Sequence, residues 1–362
     1  MKRMRMKKFL IGLLVPAIAM TMGSCNDDDD GNEPEKPKSN VVYVTKDIDE
    51  PTTWSGDSIY VIKTWDFYVN NTLTIEPGTI VKFHPDGKDL TLGGQGTIIA
   101  VGTADKPIIF TSYKDDDHGG DTNGDGSATQ PLSKDWGEIN TNGHNGSRFE
   151  FCHFYYGGNS TWGATLTIED GIGTVKHCVF AYNAGTASHL TGALNMYNAH
   201  AGSVVENCTF YGNQCPLSIS EVMNIDNTNV FHNPDNPSET NKYNGIYVYS
   251  ADGISTAITW AETEVPFVID DVDFWINENG TLTLGNDVVI KFTTDSRVVL
   301  AGSISNGTGP GVYFTSYKDD SKKGDTNADG NSTSPANGDW EGIYDNIHSA
   351  WLTWSNILYD SH

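Results

Sequence analysis

The sequence predicts an all-β solenoid, a parallel β-helix, and three observations carry that expectation. First, one stretch occurs twice. Thr111 to Ile139 (TSYKDDDHGGDTNGDGSATQPLSKDWGEI) returns without a gap at Thr315 to Ile343 (TSYKDDSKKGDTNADGNSTSPANGDWEGI), 204 residues further on. Repetition at a fixed spacing is the mark of stacked architectures. Second, a shorter motif recurs between the two copies: Phe151-Cys-His-Phe154, Val175-Lys-His-Cys-Val-Phe180, Glu206-Asn-Cys-Thr-Phe210 and Thr228-Asn-Val-Phe231. Its last Phe advances by 26, 30 and then 21 residues. Third, short runs rich in Val, Ile, Thr and aromatics alternate with Gly, Asn and Asp, as in Thr72–Ile75, Thr79–Phe83, Thr97–Val101 and Ile108–Thr111. Such runs read as strands, and no long helical period follows the N-terminal segment.

The elements follow in chain order. Residues 1–25 comprise a basic start (MKRMRMKK), an apolar run (FLIGLLVPAIAM) and small residues before Cys25. The apolar run is too short to cross a hydrocarbon layer of about 30 Å and reads as a secretory signal. Residues 26–40 (NDDDDGNEPEKPKSN) have nothing with which to build a core, which predicts a disordered acidic linker. The β domain spans 41–362, with one full repeat unit at about 50–250 and a partial one at 255–362. Trp65-Asp-Phe-Tyr-Val-Asn matches Val272-Asp-Phe-Trp-Ile-Asn, and Ile80-Val-Lys-Phe83 matches Val289-Ile-Lys-Phe292. The second unit stops at His362, and the edge of its last coil calls for a local cap or a partner, unless the chain is a truncated relative of longer two-unit proteins.

In the short motif Cys and Phe are two residues apart, so both point to one side of a strand. Stacked coils then place Cys on Cys and Phe on Phe about 4.8 Å apart. Asn183 and Asn213, three residues after their Phe, are expected to take the left-handed conformation at a sharp corner. Cys152, Cys178 and Cys208 are expected as buried free thiols acting as small hydrophobes. A disulfide between Cys208 and Cys215 stays open, since an exported chain can oxidise its thiols.

The stretches LTIEPGTIVKF, AVGTADKPIIFTS and GDTNGDG…DW resemble a β-helix family common among Bacteroidetes lipoproteins, and the whole pattern resembles right-handed parallel β-helix proteins of the pectate-lyase-like kind. The resemblance implies a right-handed coil. Met22-Gly23-Ser24-Cys25 resembles the bacterial lipobox, with Met in place of the usual Leu. It implies cleavage before Cys25 and lipid attachment there, hence a membrane anchor. The acidic run Asp27–Asp30 resembles a surface-export signal, which implies the outer face of the outer membrane of a Gram-negative cell. Asp57-Ser58-Ile59 resembles an O-glycosylation signal at Ser58.

Each long repeat also carries Asp-x-Asn-x-Asp-Gly: Asp121, Asn123, Asp125 and Gly126, then Asp325, Asn327, Asp329 and Gly330. Oxygen ligands at positions 1, 3 and 5 with Gly at 6 match the first half of a calcium loop. Position 12 is Leu132 or Ala336 rather than Glu, so Asp135 and Asp339 are the candidate closing ligands. Asp115-Asp116 and Asp319-Asp320 either cap the same ion or face water. The plain alternative is a solvated Asp/Gly turn.

The formal charge is −25, and beyond residue 25 the only arginines are Arg148 and Arg297. Such a field repels polyanions. It argues against nucleic acid and against pectin-like or sulfated glycans, and favours divalent cations. Outward residues near the short motif, His153, Tyr155, Tyr156 and Trp162, form a candidate face for sugar rings. No catalytic residue is assigned. The central coils hold only Arg148, Lys176 and Lys242 as basic residues, and no acid trio is visible beyond Glu169-Asp170 and Glu206. The expectation is therefore a calcium-stabilised, non-catalytic surface lipoprotein that binds a glycan or host surface. A polysaccharide lyase or glycoside hydrolase on the same scaffold, or a structural spacer, are the alternatives.

Overall fold

The computed structural model describes residues 40–362, apart from residues 88, 162, 186–190 and 271–272. Cys25, the signal segment and the linker lie outside the described residues, as does Trp162. The described chain contains no helix. It is a right-handed parallel β-helix, as expected. Coil after coil adds one strand to each of three faces. Face one has seven strands, from Asn40–Val44 to Thr209–Tyr211, and face two has ten, from Asp66–Val69 to Tyr313–Ser316. Face three has six strands, from Thr52–Trp54 to Val204–Glu206. Two shorter sheets accompany the later coils of face two, one of three strands and one of four.

Pairing is in register, so like side chains stack. Phe154 pairs with Phe110 and Phe180, and Phe180 with Phe210. Their rings, with Phe231, form a buried column at centroid spacings of 4.9, 4.6, 5.2 and 5.3 Å. Each buried ring contributes about 1.5–3 kcal/mol of burial, and stacking adds about 0.5–1.5 kcal/mol. Beside it runs the cysteine row. Cys152, Cys178 and Cys208 are fully buried and unbridged, as is Cys215. Each of the three stacked thiols is directed at a backbone carbonyl of the preceding coil, those of Ala100, Phe149 and Val175. In the next coil Asn229 takes the cysteine's place and accepts the Cys208 amide at 3.0 Å.

The corner after face one differs from expectation. Left-handed backbone falls on Tyr156, Tyr182 and Gly212, one residue before the position predicted. The asparagines instead form a buried ladder. Asn213 Nδ2 donates to Phe180 O and to Asn241 Oδ1, each at 2.8 Å, while its own Oδ1 accepts from the Asn183 amide and Nδ2 at 3.0 Å. The ladder satisfies carbonyls that the corner takes out of the strand pairing. An unsatisfied buried polar group costs about 1–3 kcal/mol, so Asn need not occupy αL to be required here.

The two repeat units are also set one face apart. Ile80–Phe83 lies on face one, whereas its counterpart Val289–Phe292 lies on face two. Ile108–Ser112 on face one likewise corresponds to Tyr313–Ser316 on face two. One unit thus advances the helix by a whole number of turns plus one face. At the last coil, Ala350–Trp351 folds back antiparallel on Tyr344–Asp345, and Leu352, Trp354 and Ile357 pack against the core. These residues cover part of the edge of that coil.

Asn213→Ala should leave the Phe180 carbonyl and the Asn183 backbone amide without their side-chain partners. The expected loss is about 2–4 kcal/mol, read as a lowered urea midpoint with an unchanged slope.

Candidate functional site

One four-residue strand positions each acidic loop. In Ile80–Phe83 alternate side chains face opposite ways, so Phe83 points inward and Lys82 outward. Phe83 stacks on Trp136 at 4.0 Å, and Phe292 on Trp340 at the same spacing. Each tryptophan ends its loop and is sealed inside by an indole hydrogen bond, Trp136 to Tyr155 O at 2.7 Å and Trp340 to Leu358 O at 2.8 Å. Lys82 is fully buried beneath the first loop. Its Nζ donates to Asp115 O at 2.7 Å, Gly120 O at 2.9 Å and Thr122 Oγ1 at 2.8 Å. Lys291 donates likewise to Gly324 O at 2.8 Å and Thr326 Oγ1 at 2.9 Å. Burial lowers the pKa of both lysines against the pull of nearby aspartates, and that of Lys291 falls to about 8. The lysine match was visible in sequence, but its role was not.

The first loop also covers a small apolar cluster on the outside of face one: Ile59, Val61, Ile80 and Ile109, with Tyr113 and Tyr155 against it. Gly119 makes the closest approach. At φ 78° it sits where an added Cβ would lie 2.7 Å from Ile59 Cδ1. The second loop covers Cys215, Tyr247 and Val268 in the same manner.

Within each loop three carboxylates converge: Asp116, Asp121 and Asp125, and again Asp320, Asp325 and Asp329, with oxygens all within 4.8 Å of one another. Backbone amides shape the turn. Asp121 accepts from Gly124 N at 2.7 Å, Asp125 N at 3.1 Å and Gly126 N at 2.9 Å. Asp125 accepts from Thr129 Oγ1 at 2.6 Å and Asn123 Nδ2 at 3.0 Å. Those bonds, the Thr129 hydroxyl first, hold its carboxyl below the usual range, and Thr333 does the same for Asp329. Asp116 and Asp320 go the other way. Desolvation raises both, followed by their acidic neighbours Asp121 and Asp325. One oxygen of each, Oδ1, is buried with no hydrogen-bond partner.

The sequence-predicted ligands therefore divide. Asp121 and Asp125 come together, as do Asp325 and Asp329. Asn123 and Asn327 turn their amide nitrogens onto Asp125 and Asp329 at 3.0 Å. Asp135 and Asp339 are engaged elsewhere. Asp135 accepts from Ser112 Oγ and Lys114 Nζ at 2.7 Å and from Leu132 N at 3.0 Å. Asp339 repeats that set with Ser316, Lys318 and Ala336. The third carboxylate of each cluster comes from Asp116 or Asp320 instead. Chemically, each cluster is an all-oxygen cradle with an unpaired acceptor, suited to a hard divalent cation.

On face one the expected ligand surface is partly occupied. Tyr155 is bracketed by two imidazoles: its hydroxyl lies 3.1 Å from His153 Nδ1, and His118 stacks on its ring at 5.0 Å. Burial pushes His153 down to about 4, so it is neutral at physiological pH. His118 is held by Asp115 at 2.7 Å. From there a row of phenol rings runs along the corner, Tyr155 to Tyr156 at 6.1 Å, to Tyr182 at 5.9 Å and to Tyr211 at 5.5 Å. At the far end stands the hairpin of His232–Asn233 and Asn236–Thr240, where Gly212 N donates to Thr240 O at 3.1 Å. Ser58 opens the strand Ser58–Ile62 and is buried.

Sequence reasoning missed two buried carboxyls that desolvation raises to about 7, Glu138 and Glu262. Glu138 sits on face two and accepts from Thr167 Oγ1 at 2.8 Å. Desolvation, with Asp89 and Glu169 adding negative charge, raises its carboxyl to about 7. Asp89, Glu138 and Glu169 are 31 residues or more apart in sequence, and only the coiling of the chain brings them near one another. No protein-family model, curated protein or solved structure matches this chain.

Lys82→Met keeps the stem of the side chain and removes the charge that ties down three loop oxygens. The expected cost is about 2–4 kcal/mol. Faster amide hydrogen exchange should be confined to residues 113–136, with the rest of the coil protected as before.

Proposed function

We propose that this chain is a surface lipoprotein whose β-helix is stapled by calcium at two loops and binds glycans without turning them over. The sequence features at Cys25 and Asp27–Asp30 support the anchored, outward-facing location. The observation that carries the calcium assignment is the unpaired, buried Oδ1 of Asp116, repeated at Asp320, within a three-carboxylate cluster. A bare cluster of that kind is self-repelling; a divalent cation supplies the missing partner. Asp116, Asp121 and Asp125 would hold the ion in the first loop, and Asp320, Asp325 and Asp329 in the second. The ion would be structural: it would cancel charge at the loop tip, while Lys82 and Lys291 cancel it at the base.

The tyrosine row of face one, bounded by the first loop and the hairpin, supports the glycan reading. Flat phenol faces in a line match the repeat of sugar rings. Sparse cations among the central coils disfavour chemistry on polyuronates. A second reading, a glycoside hydrolase, rests on Glu138: a carboxyl raised to about 7 beside two other carboxyls is poised for proton transfer.

Saturating calcium should raise the melting temperature and a chelator should lower it. Asp116→Asn combined with Asp320→Asn should abolish most of that difference, and a melting temperature indifferent to calcium in the parent would remove the assignment. A polysaccharide panel read both for binding and for products separates the functional readings. Binding without products is expected. Products that vanish in Glu138→Gln would establish the hydrolase instead.

A further inference from the structure

The tyrosine row is set in a negative field, and we infer that its ligand is a glycan bearing free ammonium groups, of the glucosamine type. The inference rests on the glycan reading above and deepens it. Four aromatic rings follow one another at 5.5–6.1 Å, all partly exposed. Carboxylates stand along the whole row. Asp115, Asp117 and Asp135 act on Tyr156, helping burial to raise its phenol to about 12. The hairpin strand that carries Glu239 is held beside the row by the Gly212 N–Thr240 O bond at 3.1 Å, and burial, with the charge of Glu239, raises the Tyr182 phenol to about 12 as well. At the far end Glu239 and Asp235 both act on Tyr211.

Apart from Lys134, the positive charge nearby is already committed or absent. Lys114 is paired with Asp135 at 2.7 Å, His118 with Asp115 at 2.7 Å, and His153 is neutral. Lys134 is the exception: it is exposed at the end of the first loop, its amide 3.3 Å from Gly157 O. A uronate or sulfate would therefore enter among carboxylates with little to compensate it. An ammonium gains twice, from the negative faces of the phenol rings and from the carboxylates behind them. Glu239 is the best placed of these. It lies on the hairpin strand beside Gly212 and is itself oriented by Asn233 Nδ2 at 2.8 Å.

The test uses the calcium-saturated protein and four oligosaccharide probes of equal length: glucosamine, its fully N-acetylated form, a neutral glucan and a galacturonan. The glucosamine oligomer should bind about tenfold or more tighter than its N-acetylated form at low salt, with the gap closing as salt rises. Glu239→Gln should narrow that gap while leaving N-acetyl binding in place. Tyr211→Leu should weaken both, with each variant's melting temperature unchanged as evidence of folding. Equal or tighter binding of the N-acetylated, neutral or uronate oligomer would overturn the ammonium preference and leave glycan binding intact. Binding of none of the four would overturn both.

Discussion

Parallel, in-register pairing between coils is the constraint on which everything else in this molecule depends. Each strand sends its hydrogen bonds to the coil before and the coil after, so every inward side chain must fit its like at strand spacing. Phenylalanine does so by stacking. Cysteine does so because a thiol is small and can reach a carbonyl. Asparagine does so at the corner because one amide can donate to a carbonyl and to the next amide in the ladder. A residue that could neither stack nor hydrogen-bond along the axis would be costly in every coil it occupied.

That constraint also dictates where anything functional can be placed. The interior is filled, and insertions must leave at corners and return there. The two acidic loops obey this rule with the same device. The strand that supplies Phe83 to the inside supplies Lys82 to the outside, and the loop is gripped at both ends of that alternation: Trp136 on the phenylalanine, three loop oxygens on the lysine. Held so, the loop presents its carboxylates together. The buried ammonium sits at the base of an acidic cluster and offsets part of its repulsion, which a cation at the tip would complete.

The first loop differs from the second in what it meets on the coil surface. Asp115, next to the cluster residue Asp116, holds His118 against Tyr155, and Tyr155 begins the tyrosine row. In the second loop Lys322 stands where His118 does and lies over Tyr313 at 3.7 Å, and the tyrosines beside it, Tyr243, Tyr247 and Tyr317, gather on a small apolar cluster instead of forming a row. The two loops therefore share a scaffold role, and only the first borders the proposed binding surface. The rings in that surface are shaped by the same stacking that builds the core, since Tyr156 and Tyr182 occupy equivalent corner positions of successive coils.

The sequence by itself determined the coil. The period of two in Cys-x-Phe, the recurrence of that pair every 20–30 residues and the gapless long repeat all follow from in-register stacking, which leaves its mark on every turn of the chain. It also determined that Asp121 and Asp125 lie together, because a short turn closed by Gly126 brings neighbours in sequence together in space. Only the tertiary structure decided the rest. Asp135 looked like the closing ligand by spacing, but Ser112 and Lys114 capture it, and Asp116 takes the place. Which carboxylate folds over the cluster depends on how the loop lies across face one, and no local spacing encodes that. The one-face offset of the second unit was equally hidden, since it is the accumulated phase of many corner lengths. Glu138 drew no notice for the same reason: its neighbours Asp89 and Glu169 are remote in sequence and adjacent only after a full turn of the helix. Local geometry was legible because it is set by bonds along the chain; contacts between coils were not, because they are set by where each turn happens to close.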